Sequence, residues 1–173
     1  PNLKVVKLAT KDPPALLAQA KAIALAAFGK ESVEFQLAPR SRTELLFNCS
    51  FILLNEATQS VLGYGCMKPH HSIKADGNQN EAILHTLCVD GAHRGKGYGG
   101  YLASEMCVAA RDEFGVNFML LTPAKENEAA LIRLYQRCGF SLMGGNEDVV
   151  TMGAKLSNKL ENSGTDIGGI ADL

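Results

Sequence analysis

A glycine-rich, cationic segment is the feature that most constrains what this chain can fold into. The segment VDGAHRGKGYGG spans residues 89–100, follows the apolar run 82–89 and precedes a helix-like stretch over 98–114. The first amides of a helix lack internal hydrogen-bond partners, the helix dipole favours negative charge at that end, and glycines let an anion come close. Arg94 and Lys96 add positive charge at the same place. The segment therefore predicts a binding site for a di- or triphosphate group.

Two well-known phosphate-binding patterns do not fit this segment. A Walker loop needs G-x-x-x-x-G-K-[ST], but the run from Gly91 to Gly97 is one residue short and lacks the hydroxyl that binds magnesium. Residues 95–100 match G-x-G-x-x-G literally, yet about half the chain precedes them, and the next strand ends in Leu-Thr-Pro without an acid for a ribose. A turn that binds nothing would leave two cations at a helix start without a role.

The rest of the sequence predicts strands that are interrupted by three helices. Strands are expected over 3–8, 49–54, 61–67, 82–89, 117–121, 140–143 and 148–154. Helices are expected from an N-cap at Asp12 to Gly29, over 98–114 and over 126–137, with Gly139 as a left-handed cap. Residues 30–45 suggest a short helix or loop, and 68–80 an excursion between strands. The order, an antiparallel meander followed by β-α-β-α-β-β, predicts an α+β or mixed α/β fold.

Two motifs resemble those of the GNAT superfamily, the acyl-CoA-dependent N-acyltransferases. The loop Arg94-Gly95-Lys96-Gly97-Tyr98-Gly99 resembles the family's pyrophosphate loop, R/Q-x-x-G-x-G/A. Downstream, residues 127–140 resemble its second motif, N-x-x-A…L-Y-x-x-x-G-F. The resemblance spans 82–140 and implies a single central mixed sheet with a splayed strand pair flanked by helices. It also implies a GNAT domain over 1–156. The polar, glycine-rich composition of residues 157–173 predicts a loosely held tail.

The resemblance implies a binding mode for acetyl-CoA as co-substrate. The 94–99 loop would hold its pyrophosphate, and the backbone of Leu87, Cys88 and Val89 would bind the pantetheine arm. A backbone N–H near Cys88 would polarise the thioester carbonyl, as an oxyanion hole does. Asn127 would contact the cofactor or, alternatively, cap the helix that follows it.

The same resemblance assigns candidate catalytic groups. Tyr135 occupies the family's general-acid position, although Leu131 and Leu134 share its helical face and a core tyrosine is the alternative. His85 is the candidate base, at a position that resembles a strand histidine of the arylalkylamine N-acetyltransferases. Strand alternation predicts that His85 and Glu81 share one face with Leu87 and Val89, which would let Glu81 act through water instead. A histidine satisfied inside the sheet is the remaining alternative.

The acceptor is expected to be a primary amine, on a protein N-terminus or on a small molecule. Residues 40–42 and 68–74 would form a basic rim suited to an acidic substrate, with a solvated surface as the alternative, whereas Glu147 and Asp148 favour a cationic substrate. The layout of the first half resembles that of the actin N-terminal acetyltransferases. A non-catalytic acetyl-CoA-binding regulatory module is the rival interpretation.

Composition sets the remaining expectations. A net charge of −1 gives no reason to expect nucleic acid. Five cysteines without a C-x-x-C pair favour buried thiols in a reducing compartment, and neither a bilayer-spanning apolar run nor the order of a signal peptide is found. We therefore expect a soluble, cytoplasmic protein, monomeric or homodimeric, with no metal and no membrane partner.

Overall fold

A computed structural model of the chain describes residues 2–8, 13–29, 49–71, 80–146 and 149–156. Within these ranges the strands are β1 (Leu3–Lys7), β2 (Cys49–Asn55), β3 (Ser60–His71), β4 (Asn80–Val89), β5 (Phe118–Leu121), β6 (Ser141–Gly145) and β7 (Val150–Lys155). The helices are α1 (Pro14–Phe28), α2 (Tyr98–Phe114) and α3 (Glu128–Arg137). None of these helices has the length and apolar character needed to cross a membrane.

The strands form one mixed sheet in the order β1-β2-β3-β4-β5-β7-β6. All neighbouring pairs are antiparallel except β4 and β5, which run parallel. A parallel pair needs a crossover connection, and α2 supplies it. The predicted mixed α/β fold with a single central sheet flanked by helices is confirmed.

The parallel pair of strands separates soon after it forms. Residues 81–83 of β4 pair with 118–120 of β5, but β4 continues to Val89 while β5 ends at Leu121. Residues 84–89 therefore have β3 on one side and an opening on the other. We call this opening the splay, and it lies at the edge of the sheet where the glycine loop follows β4.

Two apolar cores cover the two faces of the sheet. The larger core joins α2 and α3 to one face, with Leu102, Met106, Met119 and Met152 fully buried in it. The smaller core packs α1 on the other face, against Ile52, Tyr64, Cys66 and Cys88. Burial of such side chains is the main favourable term in folding, at about 25 cal/mol for each Å² of apolar surface.

Gly65 brings α2 close to the root of the splay. A Cβ added at this position would clash with Sδ of Met106 and would lie 3.4 Å from Cδ1 of Leu87. Because only glycine leaves this space open, the helix that begins at the glycine loop lies directly against β3. The glycine thus makes room for the Met106 side chain of α2 beside Leu87 of β4.

Most element boundaries agree with the sequence predictions. The bounds of α2 are those predicted. Helix α1 ends before Gly29, its C-cap, as expected, but begins at Pro14, with Pro13 as its N-cap and no side-chain cap. Helix α3 begins at Glu128 because a 3-10 turn, Lys125–Asn127, precedes it.

Residues 68–71 correct one prediction. They do not begin an excursion but continue β3, paired with residues 80–83 of β4. Long antiparallel pairing overrides the loop-like composition of this stretch. Other predictions fall outside the described residues, namely those on Asp12, 30–45 with its basic residues, 72–79, Glu147, Asp148 and the tail from 157.

Candidate active site

The glycine loop has the backbone geometry of an anion cradle. Gly95 and Gly97 have φ values of 77° and 75°, a region that disfavours any residue with a Cβ. Gly97 is the N-cap of α2, which has no acid in its first turn and no side chain capping it. Both Arg94 and Lys96 are exposed beside it. The start of α2 therefore presents uncapped amides and two cations to the same space.

The amides of this segment are available to a ligand. Within residues 80–146, the amides of 95–100 donate to no backbone carbonyl, and the first such bond runs from the Tyr101 amide to the Gly97 carbonyl at 3.1 Å. Oriented amides at a helix start, together with adjacent cations, bind phosphate oxygens. The residues present thus fit the pyrophosphate of acetyl-CoA.

A pair that the sequence analysis did not single out holds the turn before this cradle. Nδ1 of His93 lies 2.6 Å from Oδ2 of Asp90, and the His93 amide donates to the Asp90 carbonyl at 2.9 Å. The hydrogen bond from His93 is the main cause that lowers the pKa of Asp90 below its ordinary value. On the other side of the turn, Nε of Arg94 donates to the Val89 carbonyl at 3.2 Å.

Backbone direction in β4 decides which groups line the splay. The Asp90 amide donates to the Leu62 carbonyl at 2.9 Å, so Asp90 directs its backbone groups toward β3. In an antiparallel ladder this direction alternates along the strand. Cys88 therefore also faces β3 with its backbone, whereas Leu87 and Val89 direct theirs into the splay. The sequence analysis placed the amide that polarises the thioester carbonyl near Cys88. Of the residues around that position, Leu87 and Val89 are the ones whose amides point into the splay.

The Cys88 side chain belongs to the core under α1 rather than to the splay. Its Sγ lies 3.6 Å from the Tyr64 carbonyl oxygen. Burial is the main cause that raises the pKa of this thiol to about 11. A thiol held in the protonated form is a poor nucleophile, which argues against covalent catalysis at this residue.

His85 is the extra residue of a β-bulge in β4. Thr86 pairs with Cys66 and Leu84 pairs with Met67, which leaves His85 without a residue opposite it. A bulge interrupts the alternation of side chains, so Leu84 and Leu87 both contact the α2–α3 core although three positions separate them. Alternation therefore does not run through the bulge, and the predicted shared face of His85 and Leu87 stays a prediction. The imidazole is exposed.

Glu81 lies on a different face from the predicted one, which was the face of Leu87 and Val89. Its neighbour Ala82 is buried in the α2–α3 core, so alternation directs Glu81 to the opposite face, on the side of α1. The bulge at His85 separates Glu81 from Leu87 and Val89. The prediction that Glu81 shares their face is therefore wrong. Glu81 is buried and aligns in register with Phe118 of β5.

Tyr135 projects from α3 into the α2–α3 core. It is 7% exposed and packs edge-on against Phe140, with ring centroids 5.7 Å apart. Burial, followed by the Cys138 thiol, raises the pKa of Tyr135 to about 12. Its hydroxyl makes no hydrogen bond within the described residues, yet these residues contain no fully enclosed side-chain polar atom without a partner. The oxygen therefore reaches an opening at the edge of the core and carries its proton at neutral pH.

Close packing joins α3 to the start of α2. Sγ of Cys138 lies 3.6 Å from the Gly100 carbonyl oxygen, and Cδ1 of Leu134 would lie 3.5 Å from a Cβ at Gly99. The helix that carries Tyr135 is thus held against the glycine loop. Asn127 is exposed at the N-cap of α3, but its side chain makes no capping hydrogen bond, so the alternative of a helix cap is not observed.

Comparison with known proteins shows which family has this combination of sheet, glycine loop and splay. The model of the Acetyltransferase (GNAT) family matches residues 17–140, which is more than half of the chain. No curated protein sequence matches it. The arrangement of fold, loop and splay is that of an acyltransferase.

Several solved structures share the fold at low sequence identity. The NatC complex bound to Gag peptide and CoA has a TM-score of 0.66 and 17% identity, and the match covers 90% of this chain and 99% of that one. Aminoglycoside 6'-acetyltransferase type Ii gives a TM-score of 0.67, 15% identity and the same two coverages. Tetrahymena GCN5 gives 0.64 and 15%, covering 89% of this chain and 96% of that one.

The chain belongs to the GNAT acetyltransferase family. It is an acyltransferase whose acetyl donor is acetyl-CoA. The expectation of an enzyme is confirmed, and the rival interpretation of a non-catalytic module is set aside.

Proposed function

We propose that this protein is an N-acetyltransferase that moves the acetyl group of acetyl-CoA to a primary amine by direct attack. The observation that carries the proposal is the splay. It has the uncapped, cationic start of α2 at its mouth, the bulged His85 on one wall and the helix of Tyr135 packed beside it. These are the binding groups, base and acid that amine acetylation requires.

Binding of acetyl-CoA is assigned to the loop and to β4. The amides and cations of residues 94–99 hold the pyrophosphate, and Asn127 lies exposed on the neighbouring helix to contact the same molecule. The backbone groups of Leu87 and Val89 that point into the splay bind the pantetheine arm as a further strand would. The Val89 carbonyl already accepts from Arg94. The Leu87 and Val89 amides point into the splay and are the donors that polarise the thioester carbonyl.

The chemistry needs one proton acceptor and one proton donor. The neutral amine attacks the thioester carbon, a C–N bond forms and the C–S bond breaks. His85 takes the proton that the amine loses, and Tyr135 supplies the proton that the departing thiolate gains. Tyr135 is suited to the role of donor because burial keeps its hydroxyl protonated.

Glu81 remains the alternative base, acting through water. Its position on the face of α1 places it across the sheet from Tyr135, which lies in the α2–α3 core. An amine that enters from the α1 face would meet the base on that side of the thioester. The thiolate that leaves toward α3 would meet the acid on the opposite side. The corrected face of Glu81 is therefore compatible with this role.

The acceptor is an amine of a protein N-terminus or of a small molecule. The fold does not choose between them, since the similar structures include a complex that carries a peptide and an aminoglycoside acetyltransferase.

The direct test is release of free thiol from acetyl-CoA in the presence of a panel of amines and N-terminal peptides. The proposal expects amine-dependent release and a product with one added acetyl group on the amine, identified by mass spectrometry. Tyr135→Phe serves as the matched control because it keeps the ring and its packing. Tight acetyl-CoA binding without transfer to any amine in the panel would contradict the proposal.

A further inference from the structure

The face of the sheet opposite α2 and α3 has an apolar surface beside the splay. Met119, Leu121 and Met152 point into the α2–α3 core. Their neighbours Phe118 and Leu120 therefore point to the other face, where they are half-buried. Helix α1 packs on β3 and β4, next to this surface.

A glycine and a second bulge complete this surface. Gly153 pairs with Leu120, and a Cβ added there would lie 2.8 Å from the ring of Phe118 and would clash with Sδ of Met143. Met143 is the extra residue where the register of β6 shifts between Leu142 and Gly144. The bulge turns its side chain over Gly153, and it remains 58% exposed. A flexible thioether on an exposed surface adapts to apolar groups of different shape.

The surface begins where the splay begins. Ile83 pairs with Leu120, and this is the last pair before β4 and β5 separate. His85 follows two positions later on β4. Ile83, Leu120 and Gly153 thus form a row across three strands. On the next strand Ser141 pairs with Gly153, and the side chain of Met143 lies over Gly153 beside it. At a strand spacing of about 4.8 Å, the row from Ile83 to β6 is roughly 14 Å long. We call Ile83, Phe118, Leu120 and Met143 the apolar strip.

The charges around the strip lie at its ends. Glu81 is buried next to Phe118 on one neighbouring strand, and Lys155 is exposed next to it on the other. The exposed Lys68 of β3 pairs with Ile83 at the β4 end of the row. No member of the strip carries a charge or a hydrogen-bonding side chain. An amine placed near His85 would therefore have an apolar wall for the group that carries it.

We propose that the apolar strip binds the substituent of the acceptor amine, and that this substituent is an uncharged aliphatic, thioether or aromatic group. The inference rests on the proposed N-acetyltransferase activity and deepens it. A charged substituent would lose its hydration against the apolar side chains of the strip, whose neighbouring charges lie only at its margins, and transfer to it is disfavoured. A cationic substituent would in addition be repelled by Lys68 and Lys155. The shared chemistry admits two sources, an apolar first residue of a peptide or a free apolar amine.

The experiment compares acceptors that differ only in the substituent. The kcat/KM of transfer is measured for leucinamide, methioninamide, glycinamide, lysinamide and glutamic acid amide. Peptides that begin with Leu or Glu, together with hexylamine and 1,4-diaminobutane, distinguish the two sources. For each matched pair that is accepted, we expect the kcat/KM of the apolar member to be higher by roughly 10-fold or more. This is the scale on which an apolar pocket discriminates between substrates.

Charge on the strip provides the decisive variants. Met143→Glu should lower the kcat/KM for leucinamide about 10-fold and raise the kcat/KM for lysinamide relative to that for leucinamide. Met143→Lys should instead raise the kcat/KM for glutamic acid amide relative to that for leucinamide. Leu142→Glu is the matched control, since Leu142 is 56% exposed on the same strand but pairs with Met152 on the other face. Calorimetry should give unchanged acetyl-CoA affinity for all three variants.

Two outcomes would overturn this inference. One is equal kcat/KM for leucinamide and lysinamide, and the other is the same effect from Leu142→Glu as from Met143→Glu. Absence of transfer to every acceptor would count against the proposed N-acetyltransferase activity and the inference together. Transfer without a preference for apolar acceptors overturns the inference alone.

Discussion

Nδ1 of His93 lies 2.6 Å from Oδ2 of Asp90, in the turn that carries the chain from β4 into the glycine loop. The Asp90 amide is anchored to Leu62 of β3, so the pair ties the loop to the sheet. Arg94, the first cation of the loop, reaches back to the Val89 carbonyl from the other side. The position of the anion cradle thus depends on contacts that no part of the glycine motif itself provides.

Asp90→Asn should weaken this anchor without touching the reacting groups. We expect acetyl-CoA affinity to fall roughly 3- to 10-fold and kcat to change little, because one charge-assisted hydrogen bond is lost. The pKa of Asp90 is lowered, so its contribution is present above the ordinary value of 3.8 and is lost only as pH falls through the lowered pKa. Calorimetry at pH 7 and an acid titration of the carboxyl by NMR check both parts. Asp112→Asn, on α2, is the control and should leave affinity unchanged.

Gly97→Asp should abolish acetyl-CoA binding. The substitution places a side chain and a negative charge at the N-cap of α2, where the phosphates are expected. Gly115→Asp is a closely matched control because Gly115 has the same left-handed conformation, with φ 64° and ψ 23°, at the far end of α2. The two variants share the backbone strain, so calorimetry that finds equal binding in both would contradict the assignment of the loop.

His85→Gln should flatten the acid limb of the pH profile. If His85 accepts the amine's proton, turnover depends on an imidazole that is free to take it, and the variant, which lacks the imidazole, lacks that dependence. Because His85 is exposed at a bulge, the substitution should cost little stability. Steady-state kinetics over a pH series provides the measurement. An unaltered acid limb would assign the role to Glu81, and Glu81→Gln then becomes the variant that removes it.

Tyr135→Phe should lower turnover by roughly 10²-fold and leave acetyl-CoA affinity nearly unchanged. The hydroxyl makes no hydrogen bond within the described residues, so the free energy of unfolding should hardly change. With a pKa of about 12, wild-type Tyr135 should cause no alkaline loss of turnover below a pH of about 10.

Tyr64→Phe provides the contrast for this prediction. Its hydroxyl lies 3.1 Å from Oγ of Ser50 in the core under α1, on the opposite face of the sheet from Tyr135. We expect a stability loss of about 1 kcal/mol with near-normal turnover. Wild-type turnover in Tyr135→Phe, or a large loss in Tyr64→Phe, would refute the assignment of the acid.

The sequence alone predicted the features whose signals are local. The glycine loop, the bounds of α2 at Tyr98 and Phe114 and the left-handed Gly139 each follow from neighbouring residues, because turn geometry, capping and helical periodicity act over a few positions. The family resemblance in the two motifs was local in the same sense. The mixed sheet followed from the order of these elements.

The tertiary structure decided which side chains face one another across the sheet. Strict alternation from Val89 put His85 and Glu81 on one face with Leu87, but the strand carries an extra residue at His85. A bulge is set by how two strands pair over long sequence distances, and a single extra residue reverses every face beyond it. The bulge at Met143 and the space over Gly153 arise in the same way. Local sequence therefore specified the phosphate cradle, whereas strand pairing determined the reacting face, because register is a property of two chain segments together.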